Sequence, residues 1–202
     1  MKEQIASVVG KPRLLLHCCC APCTAGVIDR LIEHFDISFY YYNPNIYPLA
    51  EYQLRLDTLT DFTNAYNKDK GCNIQLISCV YDSEPYTALC SSLSHQKEGQ
   101  ERCYRCYALR LYQTALIAKR DKYEFFCTTL SVSPHKNSQA INRTGLLVAR
   151  DVGVNFLVAD FAKQDGYGTS IRMSNQYSLY RQNYCGCQYS MPNNESTLPF
   201  FP

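Results

Sequence analysis

Cysteine is the residue type through which this chain can do chemistry, and eight of its twelve cysteines are clustered. Cys18, Cys19, Cys20 and Cys23 stand together, separated only by His17 from the apolar run Leu14-Leu15-Leu16. Cys103 and Cys106 form a CxxC pair, and Cys185 and Cys187 flank Gly186 in a CxC pair. Cys72, Cys79, Cys90 and Cys127 are isolated. Cys79 and Cys127 fall in apolar, strand-like runs, where a free cysteine behaves as a small buried hydrophobe.

Each cluster suggests a chemistry. Cys103 and Cys106 open a helical pattern, so their sulfurs neighbour each other at i, i+3, and a helix N-terminus favours the thiolate that binds metal. A lone CxxC reads equally as a thioredoxin-like dithiol or as half a zinc site. With Cys18–Cys20 at a strand tip, enough thiols converge to hold zinc or an iron–sulfur cluster, and spacing does not choose between them. Cys185 and Cys187 can close a small, strained and therefore exchangeable disulfide ring, with Gly186 permitting the tight backbone. The alternative is a second metal clip joined by Cys23. His17, His135 and Asp160 each fall just beyond a strand, where a proton donor or a hydrogen-bonded scaffold residue would stand.

The elements that must position these groups alternate. Strands are predicted at Leu14–Leu16, Ile37–Tyr42, Ile74–Cys79, Tyr123–Thr129 and Asn155–Val158. Helices are predicted at Thr24–Phe35, Leu49–Asn67, Pro85–Leu93, Cys103–Arg120, Asn137–Asp151 and Ser170–Arg181. Pro44 and Pro48 break the chain between the second strand and the long helix. Ser131–Asn137 and Asp160–Thr169 read as loops. This alternation predicts a single α/β domain over residues 1–190, with a mainly parallel five-stranded Rossmann-like sheet and helices on both faces, followed by an irregular tail over 191–202. In such a sheet, ligands bind beyond the carboxyl ends of the strands, where the first cysteine cluster falls.

Composition narrows the class. The chain has 202 residues, 46% hydrophobic, and a net charge of +2, so it carries no global basic field. Any RNA contact is local: Tyr40, Tyr41, Tyr42, Tyr47 and Tyr52 offer stacking faces, and Arg102, Arg105, Arg110, Lys136, Arg143 and Arg181 offer cations for phosphates. Met1–Pro12 is polar and mixed, unlike a secretory leader, and no run reaches membrane-span length. Clustered thiols in such a chain point to a reducing, cytoplasmic setting and to metal or redox work.

Five segments together resemble the cobalamin-independent epoxyqueuosine reductases of the QueH type. They are Leu16–Cys23, Tyr42–Pro48 with Glu51, Tyr52 and Arg55, Glu101–Tyr107 with Arg110, Thr128–Asn137, and Tyr180–Cys187. The resemblance implies reduction of the epoxide on the modified wobble base of tRNA to the alkene, the last step of queuosine formation. It also implies a [4Fe-4S] cluster on Cys19, Cys20, Cys103 and Cys106, with Cys185 and Cys187 as the redox pair. Ala21-Pro22 sets the family register, which makes Cys18 the extra residue. Some relatives carry an acid at position 23, associated with a second metal; this chain has Cys23 there, which leaves a second, mononuclear iron open.

Converting an epoxide to an alkene needs two electrons and the protons that take the oxygen away as water. A dithiol closing to a disulfide supplies two electrons at once, and His17, His135 and Asp160 are the candidate proton donors. The partners implied are tRNA carrying epoxyqueuosine and an electron donor. Two rivals remain. An ATP-dependent tRNA thiolase would need a glycine-rich phosphate loop after the first strand, where this chain has His17-Cys-Cys-Cys-Ala-Pro22. A structural zinc protein binding RNA would carry zinc and no iron.

Overall fold

The fold was obtained as a computed structural model, which describes residues 10–191 together with Gln4. Five parallel strands form one sheet: β1 (Arg13–His17), β2 (Asp36–Tyr41), β3 (Gln75–Ser78), β4 (Phe125–Thr128) and β5 (Asn155–Phe156). Their order is β3-β2-β1-β4-β5. Leu14, Leu15 and Leu16 are completely buried, as a central parallel strand covered on both faces requires.

Alternation along β1 feeds two cores. Leu14 and Leu16 pack into a cluster with Phe39, Leu59, Phe62 and Tyr66. Leu15 points the other way, into a cluster with Leu111, Ala115, Phe126 and Ile141. The first core carries α1 (Ala21–Ala25), α2 (Ile28–Leu31) and α3 (Leu49–Lys70); the second carries α5 (Glu101–Arg120) and α6 (Ser138–Val152). Among the described residues, the remaining α-helices are α4 (Glu84–Cys90) and α7 (Gly166–Gln176). Because the chain leaves β1 toward β2 on one side and later returns to β4 on the other, the carboxyl end of β1 is the topological switch point of the sheet.

Three expectations are corrected. The helix expected over Thr24–Phe35 begins earlier, at Ala21, and divides at Gly26 and Val27. Pro22 sits in its first turn, where a missing N–H costs nothing. The Val27 amide then bonds Thr24 O, which tightens the turn. Gly26 lies against α7, where a Cβ would stand 2.8 Å from Gly166 O. The helix expected over Ser170–Arg181 runs instead from Gly166 to Gln176. Gly166 and Gly168 read as loop in sequence, yet Gly166 is packed so closely that a Cβ would meet Phe161 O. Strand β5 is shortened to Asn155–Phe156. Of the expected irregular tail, residues 192–202 lie outside the described residues.

Candidate active site

Three thiols converge at the end of β1. The sulfurs of Cys19, Cys20 and Cys23 all lie within 4.8 Å of one another, a group that can hold a metal ion. Their meeting follows from the backbone. Cys20 is the N-cap of α1 and Cys23 lies in its first turn, so i, i+3 spacing stacks the two on one face. Cys19 Sγ lies 3.8 Å from Cys20 Sγ and accepts from Thr129 Oγ1 at 3.3 Å. Gln182 Nε2 donates to Cys20 Sγ at 3.0 Å.

The group shares its protons unevenly. Hydrogen bonds from Cys20 and Cys23, aided by Arg110 and Thr129, hold Cys19 well below the ordinary thiol range despite burial. Cys20 is pushed up to about 12, chiefly by its bond to Cys19, and Cys23 is raised for the same reason. One sulfur is thus a ready thiolate, the form that ligates metal. Cys18 differs: it is fully buried, its thiol donates to Leu16 O at 3.3 Å, and burial raises its pKa well above the ordinary thiol value.

A cleft of about 340 Å³ opens beside this group, lined by Cys19 and Cys23, by Arg110 and Lys136, and by Cys185 and Tyr184 among others. Cys103 and Cys106 are not in that three-sulfur group. They line a small adjoining cavity of about 10 Å³ with Cys185, Cys187 and Tyr86. Arg110, Lys136 and Cys185 line both spaces, so the three cysteine clusters surround one shared wall.

Arg110 organises that wall. It is 3% exposed and donates from Nη2 to Asn43 Oδ1 at 2.6 Å. Its Nη1 stands 4.0 Å from Cys106 Sγ. Burial pushes Cys106 up to about 12, against the pull of Arg110. Lys136 is a cation as well: burial opposes its charge, but the thiols of Cys185 and Cys19 hold its pKa above the ordinary lysine value.

The CxC segment is fastened from the opposite side. Tyr47 N–H donates to Gly186 O at 2.8 Å, and Ile46 bridges Cys187 in antiparallel fashion. Arg55, from α3, donates to Cys185 O and Tyr184 O, each at 3.3 Å. Glu51 holds Arg55 at 2.7 Å and accepts from Tyr180 Oη at 3.0 Å. Gly186 has φ +100°, a conformation natural to glycine alone.

The candidate proton donors separate. His17 is fully buried, its Nδ1 2.8 Å from Thr128 Oγ1 and its Nε2 3.1 Å from Tyr42 O. Burial first, then Arg110, lowers its pKa to about 3, and it does not line the cleft. Asp160 pairs with Lys163 at 3.6 Å and does not line the cleft. His135 does line it. Sequence reasoning gave Lys136 a phosphate role, missing its place between the thiols, and gave Tyr86 and Cys90 none. Both pack with Cys106 and Cys187, a juxtaposition with no sequence signal.

A family model described as Epoxyqueuosine reductase QueH matches residues 14–193. The chain belongs to the QueH family. A protein named epoxyqueuosine reductase QueH from Staphylococcus aureus is 37% identical over 182 residues, covering 89% of this chain and 76% of the relative. Its namesake from Streptococcus pyogenes is 37% identical over 192 residues, covering 93% and 75%. The one from Thermotoga maritima is 34% identical over 181 residues, covering 88% and 90%. QueH proteins are oxidoreductases by name, and the thiol-rich cleft is of a kind with that chemistry. Among the described residues, no helix is long and apolar enough to cross a membrane.

Proposed function

We propose that this chain reduces epoxyqueuosine to queuosine at the wobble position of tRNA, in the cytoplasm, with a [4Fe-4S] cluster on Cys19, Cys20, Cys103 and Cys106 and a redox pair at Cys185 and Cys187. The observation that carries the reading is the shared wall of Arg110, Lys136 and Cys185, which lies between the cleft beside Cys19 and Cys23 and the small cavity beside Cys103, Cys106 and Cys187. The donor set suits the group: thiols are the ligands that iron–sulfur clusters take, and Cys19 is already biased to thiolate. When bound, such a cluster would supply single electrons.

The chain's own residues supply the rest. The cleft has the volume of a small-molecule site, and Tyr167 and Tyr184 on its lining offer faces on which a splayed base stacks. Cys185 and Cys187 deliver two electrons as they close to a disulfide. The epoxide oxygen leaves as water with two protons, for which His135 is the candidate donor that lines the cleft. Lys136 and Arg110 balance negative charge there. An external electron donor reopens the disulfide.

A second reading has one observation in its favour. The 3.8 Å between Cys19 Sγ and Cys20 Sγ matches the ~3.8 Å that two thiolates at ~2.3 Å subtend on a tetrahedral ion. On that reading Cys19, Cys20 and Cys23 hold one metal ion, iron or structural zinc. Iron and acid-labile sulfide measured after anaerobic reconstitution separate the two. The cluster reading expects four of each per chain, lost in Cys103→Ser. One metal without sulfide, retained in Cys103→Ser, would replace it with the single-ion reading.

A further inference from the structure

The two sulfurs of the CxC pair are not equivalent. Cys185 is half-buried and lines the open cleft as well as the small cavity. Cys187 is 5% exposed and lines the small cavity alone. Its Sγ lies 2.8 Å from the hydroxyl of Tyr86, itself 3% exposed. Tyr86 reaches this place from α4, more than a hundred positions earlier in the chain. A phenol carries its proton at neutral pH. Tyr86 therefore keeps its proton, and toward a thiolate it can only donate.

We infer that Cys185 is the sulfur attacked when a dithiol reductant regenerates the enzyme, and that Tyr86 is a positioning residue that receives Cys187 as the leaving thiolate. The inference rests on the redox reading of the pair given above. One thiolate of the reductant attacks Cys185 Sγ and forms a mixed disulfide. The Cys185–Cys187 bond breaks, and its electron pair departs on Cys187 Sγ, which accepts the Tyr86 O–H and then takes up a proton. The reductant's second thiolate attacks its own sulfur in the mixed disulfide. This releases Cys185 as a thiolate and leaves the reductant as a disulfide. Access decides the direction, because exchange requires in-line approach to the attacked sulfur. Arg110 and Lys136 line the cleft beside Cys185, so they attract an incoming thiolate.

The test uses the full chain, purified anaerobically and then oxidised with diamide. Glutathione serves as the probe thiol, with acid quenching and fragmentation mass spectrometry across the peptide that holds both cysteines. The glutathione adduct is expected on Cys185 at least tenfold over Cys187; an adduct mainly on Cys187, or equal adducts, overturns the assignment. In Tyr86→Phe, the equilibrium of the pair with dithiothreitol is expected to shift about tenfold toward the disulfide, or ~30 mV for a two-electron couple. An unmoved equilibrium removes Tyr86 from the account. Adduct mapping needs no variant, so it decides the first claim even if Tyr86→Phe fails to fold. If diamide closes no Cys185–Cys187 disulfide at all, the redox reading itself falls, and this inference falls with it.

Discussion

Arg55 Nη1 donates to the backbone carbonyl of Cys185 at 3.3 Å, tying the long helix α3 to the CxC segment across 130 positions of sequence. The guanidinium is 3% exposed and is charge-paired with Glu51 on the same helix. It also lies over the Tyr184 ring, 5.2 Å from the centroid. The residue thus binds two consecutive carbonyls and one ring, which a planar fork can do and a point charge cannot.

Replacing Arg55 by Ala leaves Glu51 without its partner in a half-closed site, and is expected to destabilise the chain by roughly 3 kcal/mol. Arg55→Lys keeps the charge and the fold but loses the fork. It is expected to keep its melting temperature within a few degrees while losing most of its turnover. Thermal denaturation and multiple-turnover assays check this; full turnover in Arg55→Lys would show that the two carbonyl contacts are dispensable.

The buried His17 sets an acid limit on stability. Its folded-state pKa is lowered to about 3, whereas an unfolded imidazole titrates near 6.5. The unfolded chain therefore binds the proton first. The contribution is complete above about 6.5 and is lost as the pH falls, by ~2 kcal/mol at pH 5. Denaturant midpoints of the metal-free protein are expected to drop accordingly between pH 7 and 5. An NMR titration in which the His17 ring protonates near its ordinary value would contradict the burial argument.

Adjacent cysteines are expected to behave oppositely. Cys18→Ala removes a buried thiol that donates to Leu16 O and is expected to cost about 1 kcal/mol of stability with metal content unchanged. Cys19→Ala removes the sulfur biased to thiolate and is expected to abolish metal binding. Metal analysis of the two purified variants is the check, and equal losses would mean that the division between them is wrong.

Gly186→Ala places a Cβ 2.9 Å from Arg55 Nη1 and 3.0 Å from Ile46 Cγ1, on a backbone with φ +100°. Strain of this kind costs about 1–3 kcal/mol. The expected result is a lower melting temperature together with slower closure of the Cys185–Cys187 pair. Unchanged closure would mean that the segment tolerates another backbone path.

The fold was legible because its signals are local. The apolar run Leu14–Leu16 and the β-branched and aromatic stretch before Asn43 could only be buried strands, and the five-stranded parallel sheet follows from their alternation with helices. The cysteine clusters announced a thiol site in the same way. Cys23 was harder to place. Expecting the first helix to begin at Thr24, beyond Pro22, hid that Cys20 and Cys23 share one turn of α1. Gly166 and Gly168 likewise disguised the start of α7, because a close helix contact and a flexible loop both call for glycine. Contacts such as Tyr86 with Cys187 and Arg55 with Cys185 join distant segments and leave no pattern in the sequence.

The central claim is tested most directly by incubating the anaerobically reconstituted protein, its CxC pair reduced, with tRNA carrying epoxyqueuosine and then digesting the tRNA to nucleosides. The account predicts conversion to queuosine in a single turnover without added reductant, with Cys185 and Cys187 recovered as a disulfide. A metal-loaded protein that leaves the epoxide intact, or that reduces it while both thiols stay free, would contradict it.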